Sequence, residues 1–386
     1  MSFVRRSLPA IATAFALFLT ACTTPPQRPA PVVPAVPAPS AAATLELTTY
    51  AALPGWGADD QREAWPAFLT SCSVLIKRPQ WSGVCAAARE VNPADGAAIR
   101  SFFESSLNPY RVVNADGTDT GLVTGYYEPL LRGSRKRGGN YKTPLYRAPE
   151  DLLTIDLSSV YPELKNLRLR GRVVGNKVVP YASRGELTQS AAMKGKELVW
   201  VDDPVEAFFL QVQGSGRVEL DGGKETIRLA YADQNGLPYK SIGRYLVDKG
   251  EMKMEQASAQ NIKAWVASHP ARQQEVLNAN PSYVFFREEP LVDAAVGPKG
   301  AQGVPLTPGR SIAVDPQHIA LGAPVFLSTT QPNSDQSLQR LVMAQDTGGA
   351  IRGAVRADYF WGFGREAGER AGAMKQRGML WVLLPK

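Results

Sequence analysis

The chain has 386 residues, 44% of them hydrophobic and 20% charged, a balance that supports sizeable cores and excludes disordered or collagen-like classes. Three cysteines and two histidines, His269 and His318, exclude a disulfide framework and a cysteine-based zinc cluster, and they point to carboxylates as the acid and base groups. The net charge of +7 falls to +5 without residues 1–21, which contain Arg5 and Arg6 and no acid; this suits an anionic polymer without requiring one.

In chain order, Arg5-Arg6, the apolar run Leu8 to Leu19 and then Leu19-Thr20-Ala21-Cys22 reproduce the regions of a secretory signal, with an apolar part too short to span a bilayer comfortably. The last four residues resemble a bacterial lipoprotein processing box, which makes 1–21 a signal peptide and Cys22 the acylated first residue of the mature chain. The alternative is a plain signal with an incidental cysteine. Seven prolines between Pro25 and Pro39 make 22–45 an extended tether. Thr23 after the cysteine, by resemblance to enterobacterial lipoproteins, leans toward the periplasmic face of the outer membrane. In that oxidising setting Cys72 and Cys85 form an even pair for a disulfide; two buried free thiols are the alternative.

At about 150 residues per domain the length suggests two or three domains. Trp56 to Ser106 has helical spacing, a lead-in to β-rich sequence. Gly121 to Tyr127 reads as a strand, and Gly175-Asn176 between two valine-rich runs as a hairpin turn. Phe208 to Gln213 and Arg217 to Leu220 flank Gly214-Ser215-Gly216, and with the run after Asp221-Gly222-Gly223 they read as a β-meander. Tyr239 to Lys249, Gln256 to Ser268 and Ala271 to Ala279 are helical, broken at His269-Pro270. The last hundred residues alternate short apolar runs with Gly and Pro turns, the pattern of a compact β-barrel.

Three aspartates, Asp315, Asp346 and Asp358, fall in turn-like contexts after apolar runs of that barrel. Asp315-Pro316 reads as turn chemistry. Asp346-Thr347-Gly348 is ambiguous; the aspartic-protease pattern requires two such loops, and one occurs. Asp358 precedes Tyr359-Phe360-Trp361, which fits a water-excluding setting for a proton donor and a core segment equally. His318 reads as structural, Gly214-Ser215-Gly216 as a turn in place of a phosphate loop, and Arg135-Lys136-Arg137 as a solvated loop in place of a nucleic-acid site.

Thr124-Gly125-Tyr126-Tyr127-Glu128-Pro129, Phe209 to Gly216, Gln345 to Gly353, Ala357 to Gly362 and Glu366-Ala367-Gly368 occur in that order, and with them the chain from about Trp56 to Pro385 closely resembles the membrane-bound lytic murein transglycosylase A (MltA) family. The resemblance implies a mainly β fold: a double-psi β-barrel with a helical N-terminal lead-in, an inserted second β-rich domain, and a groove between them. It places the barrel, with its three-aspartate domain, at 46–129 plus 288–386 and the insertion at 130–287.

The implied reaction cleaves the β-1,4 bond between N-acetylmuramic acid (MurNAc) and N-acetylglucosamine (GlcNAc) in peptidoglycan without water, leaving 1,6-anhydromuramyl ends. Asp358 aligns with the single catalytic acid and Asp346 with a supporting aspartate. Gln211 and Gln213, alternating along the expected strand, face the glycan together. Tyr126 and Tyr127 face opposite ways, so at most one lines the groove, and Ser215 and Gly216 let a glycan approach the backbone. The expected partners are peptidoglycan strands and, through the lipid, the outer membrane, with a cell-wall enzyme complex by analogy. No cofactor, metal or nucleic acid is implied. A hydrolytic muramidase and a non-catalytic peptidoglycan-binding lipoprotein are the competing readings.

Overall fold

The computed structural model describes residues 43–164, 167–291 and 293–386; the signal, Cys22 and most of the tether lie outside the described residues. After β1 (Thr44–Leu47) come helices α1 (Trp65–Leu75), α2 (Pro79–Ala88) and α3 (Gly96–Ser106), the expected lead-in. Pro66 and Pro79 sit in first helical turns, where no amide hydrogen is needed. Asp95 caps α3 by accepting from the amides of Ala97 and Ala98, each at 3.0 Å. Trp65, Phe68, Phe102 and Phe103 pack with ring centres 5.1 to 5.9 Å apart, and Cys72–Cys85 is a disulfide joining α1 to α2.

The chain continues through β2 (Leu107–Val113), β3 (Gly121–Glu128), β4 (Leu130–Ser134), β5 (Thr143–Tyr146), β6 (Leu153–Thr154), β7 (Arg170–Val174) and β8 (Lys177–Pro180). Then follow α4 (Arg184–Gln189), β9 (Glu197–Val201), α5 (Pro204–Gln213), β10 (Gly216–Leu220) and β11 (Glu225–Gln234). Helices α6 (Ile242–Asp248), α7 (Ala259–Ser268) and α8 (Gln273–Asn278) lead into β12 (Val284–Pro290). The last part holds β13 (Ser311–Val314), β14 (Pro324–Thr330), β15 (Ser337–Asp346), β16 (Arg356–Phe363), α9 (Gly364–Ala373) and β17 (Lys375–Pro385).

Strands β17, β14, β15, β13, β16 and β3 pair in that order, and a β3–β17 pairing closes the ring. This is the expected double-psi barrel, and β2 and β1 extend it outward from β17. A six-stranded sheet, ordered β12-β11-β10-β4-β9-β5, is built wholly from the chain between β3 and β13. The β7–β8 hairpin turns at Gly175-Asn176, with Gly175 at a φ of 61°, the left-handed geometry such a turn requires.

One expected strand is a helix. Asp203 accepts from the amides of Val205 at 2.7 Å and Glu206 at 3.2 Å, Pro204 opens the first turn, and Gly214 ends the helix at a φ of 85°. These start and stop signals enclose Phe208 to Gln213 in α5, whose Val205, Phe208 and Phe209 pack on α6, α7 and α8. The meander reduces to the β10–β11 hairpin, and Gly214-Ser215-Gly216 joins a helix to a strand. Asp358 likewise lies inside strand β16 and not in a turn.

At the seam of the two sheets Glu128, the last residue of β3, is fully buried. It accepts from Arg217 of β10 at 2.8 Å and Arg228 of β11 at 2.6 Å, and Arg217 stacks 4.1 Å over the ring of Phe363, the end of β16. Removing one partner of such a cluster leaves buried charge uncompensated, at a cost of about 3–5 kcal/mol. Glu128→Ala is therefore expected to lose about that much stability, read as a lowered urea midpoint; a midpoint equal to wild type would show that the seam does not depend on this carboxylate.

Candidate active site

Pairing register assembles the site. In β16, Arg356, Asp358 and Phe360 share one face, and the parallel partner β3 sets Thr124 beside Asp358 and Tyr126 beside Phe360. The Thr124 hydroxyl donates to Asp358 Oδ1 at 2.6 Å, and Arg356 Nη2 donates to Thr124 Oγ1 at 2.9 Å. The ring centres of Tyr126 and Phe360 are 5.1 Å apart. Of the three aromatics after Asp358, only Phe360 lies on its face. Tyr359 enters the barrel core and bonds the carbonyl of Gly309 at 2.8 Å, and Trp361 donates to Met374 Sδ at 3.3 Å. A side chain at Gly125 would meet Trp361 Nε1 at 2.6 Å and Ala371 Cα at 2.8 Å, so β3 passes there only as glycine.

Asp346 ends β15. Its Oδ1 accepts from the amides of Ala301 and Thr347, each at 2.9 Å, and its Oδ2 from the Tyr126 hydroxyl at 3.1 Å. Its neighbour Gln345 is fully buried and fixes the strand end from the other side, accepting from Ser311 Oγ at 2.5 Å and donating to Ser71 Oγ at 2.9 Å and the Ala67 carbonyl at 3.0 Å. Alternation then turns Asp346 into the cleft.

Both carboxylates border a cleft of about 290 Å³, with Thr124, Tyr126, Gln211, Gln213 and Arg356. An adjoining space of about 350 Å³ is bordered by Tyr126, Tyr127, Gln213, Ser215 and Asp346. Both tyrosines therefore line the combined groove. Gln211 and Gln213 do so from helix α5, with Gln213 Oε1 accepting from the amide of Tyr127 at 3.0 Å. The missing side chain of Gly216 makes room for Leu210, whose Cδ1 would be 2.5 Å from a Cβ there, while space around Gly214 is open. Gly214 and Ser215 therefore carry the open backbone.

Asp315 is buried outside this cleft, accepting from the amides of Gln317 at 3.2 Å and Gly353 at 2.9 Å; it braces the loop between Asp346 and Asp358, the turn role expected of it. Arg135 pairs with Glu225 and Glu288, in keeping with a solvated loop. Thr124 and Arg356 were absent from the sequence-derived site, although Arg356 stands two residues before Asp358 and so shares its face.

Burial pushes the Asp358 carboxyl up to about 6, opposed by the Thr124 hydrogen bond and the Arg356 charge and assisted by the Asp346 charge. Burial also raises Asp346, against the amides of Ala301 and Thr347 and the Tyr126 hydroxyl. A partly neutral acid beside an anchored second carboxylate can donate a proton near neutrality and take one back. Among the described residues no group of three or more His, Cys, Asp or Glu side chains converges to hold a metal.

Because its folded pKa lies above the unfolded value, Asp358 weakens the fold once ionised, and this is relieved as pH falls through about 6. Asp358→Asn is expected to melt higher than wild type at pH 8 and alike at pH 4. Thr124→Val should move the Asp358 midpoint upward in a carboxyl-carbon NMR titration; a downward shift would contradict the hydrogen-bond account.

A family model described as "MltA specific insert domain" matches residues 122–287, and one described as "3D domain" matches 310–384. The chain is 32% identical over 295 residues to the membrane-bound lytic murein transglycosylase A of Escherichia coli (strain K12), covering 75% of this chain and 72% of that protein. It is similar to the crystal structure of MltA from Neisseria gonorrhoeae, with a TM-score of 0.76 and 40% identity over 89% of this chain and 93% of that one. The crystal structure of E. coli MltA with bound chitohexaose matches with a TM-score of 0.64 and 28% identity, over 83% of this chain and 90% of that one.

Proposed function

The chain belongs to the MltA family and is a peptidoglycan lytic transglycosylase, and on that premise we propose that Asp358 is its single catalytic acid and base. Protonated, it donates to the oxygen of the bond between MurNAc and GlcNAc as positive charge develops at the muramyl C1. As carboxylate it then removes the proton of the muramyl C6 hydroxyl, whose oxygen attacks C1. The proton lost to the leaving sugar is regained, no water is consumed, and a 1,6-anhydromuramyl end forms. The nucleophile belongs to the substrate, so the second working carboxylate of hydrolytic glycosidases has no step to perform.

The observation that carries this reading is the pairing of a raised, Thr124-bonded Asp358 with an Asp346 whose oxygens already accept three hydrogen bonds. Asp346 supports by position and charge, keeping Asp358 protonated at higher pH. The groove holds the glycan strand, with amides from Gln211 and Gln213, hydroxyls from Tyr126 and Tyr127, and open backbone at Ser215. Bound chitohexaose in the E. coli relative supports a sugar-chain ligand for this groove.

With Asp358 as the acid, kcat/KM falls as pH rises above about 6. Mass spectrometry of muropeptides released from purified peptidoglycan is expected to find anhydromuramyl ends with wild type and none with Asp358→Asn. Asp346→Asn should be slower, with the alkaline limb of its profile moved to lower pH. Reducing ends would make the enzyme a hydrolase, and normal turnover by Asp358→Asn would overturn the assignment.

Cys22 carries the lipid that holds the enzyme on the periplasmic face of the outer membrane, and other cell-wall enzymes are its expected company there. Among the described residues no helix is long and apolar enough to cross a membrane. Cys22→Ala is expected to shift the enzyme from the membrane to the soluble fraction on fractionation; retention in the membrane would require another anchor.

A further inference from the structure

The six-stranded sheet and its helices hold a further cleft of about 210 Å³, bordered by Lys142, Thr143, Tyr146, Arg184, Gln211 and Tyr283 among others. Arg184 and Gln211 also border the cleft that contains Asp358, so the two spaces share a wall. Two cations line the further cleft and, among the described residues, no carboxylate does.

Arg184 is only 5% exposed. Its Nε donates to the carbonyl of Asn280 at 3.1 Å and its Nη2 to that of Ser282 at 2.7 Å. The guanidinium lies 4.6 Å from the ring centre of Phe208 and 5.0 Å from that of Tyr283. Among the described residues no aspartate or glutamate forms a salt bridge with it, and burial pulls its pKa down to about 10 against the tyrosines Tyr283 and Tyr239, so it remains charged at neutral pH. Gln211, 6% exposed, carries an Oε1 without a donor. A buried cation without counter-charge and a buried acceptor without donor are both costly unless a ligand completes them.

The completing ligand has a carboxylate and an N–H close together, which is the chemistry of a peptide with acidic groups. A plain chitin chain has no carboxylate. A murein strand bears one on each free lactyl group; where a peptide is attached, the lactyl carboxyl is an amide and the carboxylates are those of the peptide.

We propose that this cleft is a subsite for the peptide stem of the substrate, with Arg184 and Lys142 pairing to stem carboxylates and Gln211 Oε1 accepting from a stem amide. The assignment rests on the reading of the adjoining cleft as the glycan groove. It adds a discrimination: the enzyme reads the substituent on the muramyl sugar as well as the sugar chain.

The test uses the disaccharide GlcNAc–MurNAc with and without its tetrapeptide, and chitobiose, titrated calorimetrically into the full-length wild-type chain in detergent. None of these contains the MurNAc–GlcNAc bond, so binding is measured without cleavage and does not depend on the role of Asp358. The peptide-bearing disaccharide should bind about tenfold more tightly than the peptide-free one, the worth of a charge-assisted hydrogen bond. Arg184→Gln and Lys142→Glu should each reduce that preference severalfold. Lys142 is exposed, so its variant decides the matter if Arg184→Gln does not fold. Equal affinity of wild type for the two disaccharides, including the case where the lactyl carboxylate alone improves on chitobiose, overturns the proposal. So does a Lys142→Glu enzyme that keeps the full preference.

Discussion

The cleft depends on one strand pairing, β3 lying parallel to β16 and antiparallel to β17. That pairing closes the ring of six strands, and among the described residues it is the only point at which the chain before the inserted sheet pairs in register with the strand that carries Asp358. A slip of one residue would send Thr124 to the opposite face and remove the hydroxyl from the carboxyl it holds. The burial that raises Asp358 and the hydrogen bond that limits the rise come from the same closure. Gly125 allows it by letting β3 pass close to Trp361 and α9.

The seam at Glu128 extends the same logic to the second sheet. Glu128 ends β3 and is held by arginines on β10 and β11, so the strand that closes the barrel is also the strand to which the inserted sheet is bound. The groove walls are thereby referred to one element: Thr124 and Tyr126 on the barrel side, and Gln213, through the amide of Tyr127, on the α5 side. An ion cluster is a costly way to join two surfaces, and its directional bonds hold a geometry that apolar packing alone would leave freer to slide.

Elements whose cause is local were legible in the sequence. The lead-in helices show in their apolar spacing, the β7–β8 hairpin in Gly175-Asn176, and the β10–β11 turn in Asp221-Gly222-Gly223. Helix α5 was missed because Phe208 to Gln213 is a short apolar run whose periodicity does not separate helix from strand; the deciding signals, Asp203-Pro204 and Gly214, lie at its ends. The two cleft aspartates were picked out by their neighbours and by family resemblance. Their partners were not, because Thr124 and Asp358 are 234 positions apart and nothing local to either announces the other. The aromatic run after Asp358 left a water-excluding setting and a core segment both open for a related reason: strand alternation sends Tyr359 and Trp361 away from it and keeps Phe360 on its face, a sorting that appears only once the segment is known to be a strand.

Closure through β3 and β17 also bears on when the protein can act. β17 pairs with β3 and β14 within the ring, so the ring stays open until the chain through Val382 has been made and β17 brought back to β3, laid down more than 250 residues earlier. Such non-local contacts form late and slowly. The inserted sheet, assembled within its own stretch of chain, has no such wait. While β17 is unmade, the barrel that positions Asp358 cannot close, so competence to cut the wall arrives as the last strand docks.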